Sequence, residues 1–482
     1  MRFIGKDPNI IDAYYTATAE GAITAGKPVI VEADGDVTLI NASGGGQDLG
    51  TPAVFESATV SFTGSTFDSS NNKIVIVYRD DGNSSYGTAV VGTVSGSAIS
   101  FGTPVVYNSA NSSYNEATFD SNANKVVVAY RDTGNSNRGT AIVGTVSGTS
   151  ISFGSEEVFE DGETNEISIT FDSSNNKVVI AYADENNSNY GKAIVGTVSG
   201  TSISFGSETT FNTGALYGSG ITFDSNSNKV VIVYRDGGNS NYGTGIVGTV
   251  SGTSISFGSE TVFQSVSSAN PRAAFDSNSN KVVCVYKNNS DLTLMTVVGT
   301  VSGTSISFGT PVVADSGSVG TYHGIVFDSA NNKVIVSFDS NTNSDGRLVV
   351  GAVSGTSISF ESAVQYESGE TGEVSSTFDS NASATVVAYR DSGNSNYGTA
   401  VAFRYAVSNL TSENYIGIAA DTYADNEDST IGIVGCIDRN QTGLTAGQQY
   451  FVQGDGTLST TAGNPSVLAG TAISATELVV KE

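Results

Sequence analysis

The sequence contains no tryptophan, two cysteines and one histidine, His323, in 482 residues. A zinc site of the His-Glu-x-x-His type needs two histidines, and a cysteine-ligated zinc needs a cluster, so the composition excludes both. Cys284 and Cys436 fall in different predicted domains, which argues against a disulfide between them. A serine triad would have to use His323, and no Gly-x-Ser-x-Gly turn accompanies it. We therefore predict no cofactor and no catalytic residue.

Positive charge is also scarce. The chain has 21 lysines and arginines against 48 acidic residues, a net charge of -27, which argues against nucleic acid as a partner. No apolar run approaches the roughly 20 residues that cross a bilayer, so membrane insertion is not expected. The first residues, Met1–Pro8, lack the apolar segment of a secretory signal, so we expect synthesis in the cytoplasm of the producing cell.

A long internal repeat dominates the sequence. The triplet Phe-Asp-Ser occurs seven times, with its phenylalanine at Phe67, Phe119, Phe171, Phe223, Phe275, Phe327 and Phe378. The spacing is 52 residues at each step except the last, where it is 51. A fixed period of this size indicates one supersecondary unit that is copied many times.

Each copy is predicted to form four short strands. In the second copy these are Glu116–Asp120, Lys125–Tyr130, Gly139–Val146 and Thr149–Phe153, separated by polar turns. The second strand is an almost continuous apolar run, which is typical of a strand buried on both faces. The fourth alternates polar and apolar residues, as an exposed edge does. Four-stranded units repeated four to eight times form a β-propeller.

The two ends of the repeat region indicate a closed ring. The last copy stops after its third strand, Gly398–Phe403. The segment Leu49–Phe55 resembles the end of the fourth strand in other copies, such as Gly102–Tyr107. We predict that this N-terminal piece supplies the missing strand of the seventh blade and removes two open sheet edges.

The regions on either side of the repeats resemble each other. Ile23–Val37 aligns without gaps to Leu444–Leu458, and each is predicted to be a hairpin with an Asp-Gly turn. Tyr415–Ala419 likewise resembles Leu468–Ala472. The predicted fold is therefore all-β: a seven-bladed β-propeller, residues 49–407, inserted into a small split, duplicated β domain made of residues 1–48 and 408–482.

Seven aspartates follow the repeated phenylalanines at tight turns. They are Asp68, Asp120, Asp172, Asp224, Asp276, Asp328 and Asp379. Hard oxygen ligands suit calcium, but no EF-hand spacing or glycine-rich nonapeptide appears. Local capping of the turns by the aspartate side chains is the favoured interpretation.

The copies differ most in the connection from the fourth strand to the next first strand. In a propeller this connection lies on one face, near the axis, and a uniform scaffold with varied loops on one face is how loop-borne recognition is built. Neutral drift in solvated loops is the open alternative. The candidate contact residues are Tyr114, Glu116, Glu166, Tyr217, Arg272, Tyr322, His323 and Glu373.

The flanking pattern Leu-Thr-Ala-Gly-x-x-Tyr-x-Val-x-x-Asp-Gly-Thr-Leu occurs at Leu444–Leu458, and the repeat reads Tyr-Arg-Asp-x-Gly-Asn-Ser-x-Tyr-Gly-Thr-Ala. Together they resemble virion structural proteins of marine tailed phages, of the cyanophage and pelagiphage kind, over nearly the whole chain. The resemblance implies a fibre, appendage or decoration protein on the particle surface. It implies other virion proteins as partners and brings no catalytic residues.

The favoured hypothesis is a non-enzymatic virion protein, anchored by the split domain and displaying the propeller to a host glycan or envelope protein. A polysaccharide-degrading propeller enzyme is one alternative, because acidic residues are abundant. A cellular surface adhesin is another. A homo-oligomer is possible, although no coiled-coil heptads indicate a trimer.

Overall fold

The structure is a computed structural model that describes residues 13–40, 47–405, 409–454, 456–462 and 466–481. The chain divides into two compact units. The ring unit comprises residues 49–404, and the split unit comprises residues 1–48 and 405–482. The second division falls between Arg404 and Tyr405, three residues before the predicted boundary, where the last strand of the repeats, Tyr397–Tyr405, ends.

Each repeat of the ring unit supplies antiparallel strands that we name A to D. The A strands are Ala53–Asp68, Val105–Asp120, Glu157–Asp172, Thr209–Asp224, Thr261–Asp276, Val319–Asp328 and Thr371–Asp379. The B strands are Lys73–Asp80, Lys125–Asp132, Lys177–Asp184, Lys229–Asp236, Lys281–Asn288, Lys333–Ser340 and Ala384–Asp391. The C strands are Tyr86–Ser95, Arg138–Ser147, Tyr190–Ser199, Tyr242–Ser251, Leu294–Ser302, Asp345–Ser354 and Tyr397–Tyr405. The D strands are Ala98–Phe101, Ser150–Phe153, Ser202–Phe205, Ser254–Phe257, Ser305–Phe308 and Ser357–Phe360.

Three short strands and three short helices accompany these strands. The strands Val312–Asp315 and Val364–Glu367 precede the last two A strands, and Gln47–Leu49 precedes the first. Short 3-10 helices occupy Thr133–Asn135, Glu185–Asn187 and Ser392–Asn394 between strands B and C.

The hydrophobic core of the ring lies between neighbouring repeats. Val75 and Val77 of the first repeat pack against Val126 and Val128 of the second. The B strands carry apolar side chains on both faces because both faces are covered in this way, and Val126 is fully buried.

The same contact joins the last repeat to the first. Ile76 packs with Val386 in one buried cluster. The segment Ala53–Thr59 pairs with the last C strand, and Gly50 N–H donates to Ala402 O at 2.9 Å. The strand order of this sheet accordingly closes on itself.

The Phe-Asp-Ser turns share one hydrogen-bond pattern. In every copy the aspartate Oδ1 accepts from the backbone N–H groups two and three residues later; for Asp120 these are Asn122 at 2.9 Å and Ala123 at 2.8 Å. The aspartates therefore cap turns. Within the described ranges no cluster of three or more potential metal-ligating side chains occurs.

One expectation about the strands is wrong. The connection from the fourth strand to the next first strand, predicted as a loop, lies in the second copy within the continuous strand Val105–Asp120. Its first part pairs with the C strand of the preceding repeat and its second part pairs with the B strand of its own repeat. The backbone changes partner after Asn111, and a β-bulge follows where Tyr114 and Asn115 both lie opposite Tyr130, so no free loop forms.

The split unit contains two five-stranded sheets with the same arrangement. The first has the order Tyr14–Thr18, Asp428–Gly432, Tyr415–Ala419, Pro28–Val31 and Val37–Leu39, and the second has the order Ile437–Asp438, Leu478–Val480, Val467–Ala472, Gln449–Val452 and Leu458–Ser459. Val31 pairs with Val37 as Val452 pairs with Leu458, which are the positions that the sequence alignment equates. The first sheet draws strands from both sides of the repeat region.

The two cysteines are unpaired, and the described helices are short. Cys284 and Cys436 are both buried and free. Among the described residues, no helix has the length and apolar character required to cross a membrane.

Candidate functional site

One position of strand A recurs around the axis of the ring. It lies five residues before each repeated phenylalanine, and we call its occupants the rim residues. They are Phe62, Tyr114, Glu166, Gly218, Asn270, Tyr322 and Glu373.

The bulge holds most rim residues in an unusual backbone conformation. Five non-glycine rim residues have a positive φ, between 45° and 53°, and Gly218 has a φ of 70°. Non-glycine residues rarely adopt this region, and such conformations persist where the surrounding structure imposes them, often at functional sites. Backbone strain therefore recurs at the rim position of most repeats.

The rim residue of the sixth repeat, Tyr322, does not have this backbone conformation. Asp339 replaces the arginine found at Arg79, Arg131, Arg235 and Arg390 in other B strands. The Oδ1 of Asp339 accepts from the backbone N–H of Tyr322 at 3.1 Å. In this repeat, residues 316–318 interrupt the segment that forms one continuous A strand in the first five repeats. Burial raises the pKa of Asp339 to about 6.

Two cavities follow each other along the axis. The rim cavity, of about 260 Å³, is lined by all seven rim residues, among others. The inner cavity, of about 180 Å³, is lined further along the A strands by Ser65, Ser168, Ser375 and Ser376 among others. Five residues line both cavities and mark the layer between them: Thr63, Glu116, Arg272, His323 and Val374.

Seven of the eight candidate residues line the rim cavity: Tyr114, Glu116, Glu166, Arg272, Tyr322, His323 and Glu373. Tyr217 does not. Its side chain precedes the rim position by one residue, is 43% exposed, and packs its ring 5.3 Å from the guanidinium of Arg235. Successive side chains of a strand point to opposite sides, which explains why this tyrosine leaves the cavity.

An ion pair crosses the axis. Arg272 of the fifth repeat places Nη1 3.2 Å from Oε1 of Glu116 in the second repeat. The same Nη1 donates to Ser219 O at 3.0 Å. Burial raises the pKa of Glu116, and the charge of Arg272 opposes this rise. We call this contact the axial bridge; it lies in the layer where the two cavities meet.

Aromatic rings form part of the cavity wall. The rings of Phe62 and Tyr114 are 5.2 Å apart, and the guanidinium of Arg79 lies 4.8 Å from the centre of the Phe62 ring. Tyr322 is 37% exposed, and burial together with the nearby carboxylate of Glu373 raises its pKa to about 12. The phenol therefore stays protonated and able to donate at neutral pH.

Two glutamates of the rim, Glu373 and Glu166, have partners that oppose the effect of their burial. Glu373 Oε2 accepts from the backbone N–H of Phe62 at 2.8 Å, and its Oε1 lies 3.8 Å from Nη1 of Arg390. Burial raises the pKa of Glu373, and the hydrogen bond from Phe62 opposes it. Burial also raises the pKa of Glu166, with Arg272 the largest opposing influence.

The side chains of His323 and Asn115 each bind a backbone carbonyl of the cavity wall and each retain one unpaired acceptor atom. His323 Nε2 lies 2.5 Å from Asn270 O, so Nε2 carries the proton and Nδ1 is the acceptor. Asn115 Nδ2 donates to Phe62 O at 3.2 Å. His323 Nδ1 and Asn115 Oδ1 are buried without a partner. Burial and the charge of Arg272 lower the pKa of His323 to about 3, so the ring is neutral.

Nine residues that line the rim cavity were not among the candidates, and four of these make the contacts described above: Phe62, Asn115, Ser219 and Asn270. A signal for them was present, because they lie five or four residues before a repeated phenylalanine. Counting back from the Phe-Asp-Ser motif locates the whole rim.

The site therefore combines aromatic faces with converging hydrogen-bond groups in a concave space. Such an arrangement suits the binding and orientation of a small polar ligand.

No protein-family model and no curated protein sequence matches this chain. Solved structures match it in three dimensions. The BP39L lectin from Burkholderia pseudomallei has a TM-score of 0.55 and 10% sequence identity, over 75% of this chain and 98% of the lectin. The gluconolactonase PpgL from Pseudomonas aeruginosa has a TM-score of 0.47 and 12% identity, over 74% and 97% of the two chains. AofleA from Arthrobotrys oligospora has a TM-score of 0.42 and 8% identity, over 73% and 96%.

At these identities the likeness concerns the fold alone. The all-β class that the sequence predicts is confirmed, and the chain has a β-propeller-like fold similar to that of the BP39L lectin.

Proposed function

We propose that this chain is a non-enzymatic surface protein of a tailed-phage virion. Its ring unit is a seven-bladed β-propeller that recognises a host-surface glycan or envelope protein through the rim cavity. Its split unit is the anchor, a duplicated β domain that attaches to other virion proteins.

The observation that carries the recognition role is the contrast between scaffold and rim. The Phe-Asp-Ser turns, the turns between strands C and D, and the D strands hardly vary among the repeats, whereas the rim position holds phenylalanine, tyrosine, glutamate, glycine and asparagine. The fold gathers these different side chains around one concave space. A uniform ring with a non-uniform cavity is suited to selective binding.

The contacts within the cavity favour binding over catalysis. Glu116 is paired with Arg272 across the axis, and Glu373 accepts from the backbone of Phe62. These carboxylates hold the wall together, so neither is free in the way that a general acid or base needs to be.

The surface of the split unit supports an attachment role. Tyr15, Ile433 and Val434 line a shallow cavity of about 210 Å³, and Val434 is 54% exposed. Exposed apolar side chains that lie together are typical of surfaces that meet another protein. This unit also has a buried core of its own, which includes Ile30, Ile418 and Val452.

Immunogold labelling tests the virion role. Antibody raised against the whole chain should label tails or capsids of intact particles. Unlabelled particles, with label on cell surfaces instead, would favour a cellular adhesin.

Binding of the purified whole chain to isolated host envelopes tests recognition. Tyr322→Ala should weaken binding, whereas Tyr217→Ala, a matched change at a similarly exposed tyrosine outside the cavity, should not. Release of reducing sugar from the envelopes would support the enzyme instead.

A further inference from the structure

We propose that the rim cavity takes the end of a glycan, binding one neutral, hydroxyl-rich sugar ring. This inference rests on the proposed recognition function and specifies its ligand class.

The size of the cavity limits the ligand. Cavities for drug-sized molecules measure about 300–1,000 Å³. The rim cavity, at about 260 Å³, lies just below that range. The volume of the cavity therefore suits a single sugar ring better than a longer segment of a glycan.

The charges around the cavity are balanced. Glu116 faces Arg272 at 3.2 Å, and Glu373 faces Arg390 at 3.8 Å. The charges of Arg272 and Arg235 act on Glu166. The three carboxylates that line the cavity thus have three arginines near them, so none of the three is left without an opposite charge for a charged ligand to replace. This favours a neutral ligand over a uronate, a sialic acid or an amine.

The polar groups favour hydroxyls. Carboxylates and carbonyls accept, the Arg272 guanidinium donates, and the Tyr322 phenol does both. A hydroxyl can satisfy either role because it donates and accepts. The wall also keeps two unused acceptors, His323 Nδ1 and Asn115 Oδ1, just beneath its surface. The half-exposed ring of Tyr322 offers an apolar face to the C–H side of a sugar.

The axial bridge makes the approach end-on. Because Arg272 and Glu116 meet in the layer between the two cavities, a chain cannot thread from the rim cavity into the inner one without breaking their ion pair. The A strands of all seven repeats surround the space. A glycan therefore enters with its terminal unit.

The test uses competition for envelope binding by the whole chain. Host envelope polysaccharide is hydrolysed to monosaccharides, re-N-acetylated, and separated by ion exchange into neutral, acidic and basic pools. The neutral pool should abolish binding, and the charged pools should leave it unchanged. Competition by a charged pool alone, or by no pool, would overturn the inference.

Variants locate the competing sugar. Tyr322→Ala should weaken the competition by the neutral pool by about tenfold, the loss expected for one aromatic contact. Tyr217→Ala should leave it unchanged. Equal competition in both variants would place the sugar outside the rim cavity and overturn the inference. The proposed function fails separately, since it predicts envelope binding whatever the pools do.

Discussion

The carboxylate of Glu373 accepts a hydrogen bond of 2.8 Å from the backbone N–H of Phe62, which lies at the other end of the repeat region. This contact joins the seventh repeat to the first at the rim of the cavity. The third and fourth repeats have the equivalent contact, in which the backbone N–H of Gly218 donates to the carboxylate of Glu166.

Replacement of Glu373 tests how much this contact contributes to the stability of the folded chain. Glu373→Ala leaves the Phe62 N–H without its acceptor, so we expect the free energy of unfolding to fall by about 1–3 kcal/mol. Glu373→Gln keeps an acceptor oxygen and should cost less than Ala. Urea unfolding of the whole chain measures both. Equal losses in the two variants would show that the hydrogen bond contributes little.

A β-carbon at the rim glycine should be costly for two reasons. Gly218 has a φ of 70°, and an added Cβ would lie 3.0 Å from Asn270 Oδ1 and 3.1 Å from Asn270 Cα. Gly148, in a turn between strands C and D, has a φ of 60° with open space around it. Gly148→Ala should cost about 1 kcal/mol for the backbone alone, and Gly218→Ala should cost more. Similar melting temperatures for the two variants would contradict the close approach.

The single histidine gives a direct measurement of the cavity wall. Because burial and Arg272 lower the pKa of His323 to about 3, its ring carbons should show no titration shift between pH 5 and 8 in an NMR experiment on histidine-labelled protein. In urea the same residue should titrate near pH 6.5. A midpoint near 6.5 in the folded chain would mean that the ring is solvated.

The buried Asp339 should make stability depend on pH. Its folded pKa, about 6, lies above the unfolded value near 3.8, so the folded state binds the proton more tightly. This group therefore lowers the free energy of unfolding as pH rises from about 4 to 6, by about 1–3 kcal/mol.

Asp339→Asn removes that titration and retains an oxygen that can accept from Tyr322 N–H. The variant should melt above the wild type at pH 7, and the difference should shrink toward pH 4. Comparison at each pH cancels the opposite contribution of His323, which favours the folded state as pH rises. A constant difference across this range would refute the assignment to Asp339.

The repeat made much of the secondary structure predictable. The apolar run Lys125–Tyr130 indicates a buried strand, and the structure has Lys125–Asp132 there with Val126 fully buried. Likewise, the alignment of the flanks equates Val31 with Val452, and both lie at the same point of a hairpin. These features are local or follow from a period, so one sequence suffices to find them.

The site was harder to predict, because it depends on how neighbouring repeats meet. The bulge forms shortly after strand A leaves one partner for another, and neither partner is apparent from the segment itself. A shift of one residue decides that Gly218, and not Tyr217, lines the cavity. The axial bridge joins two residues three repeats apart, and only the curvature of the ring brings them together.

The position of the ring unit between the two parts of the split unit also affects resistance to proteolysis. The ring unit is connected to the split unit by two covalent links, and Ala53–Thr59 is paired with Tyr397–Ala400 inside the ring. A protease that nicks one link would leave the other intact and the paired strands in register. Release of the ring would require two separate cuts.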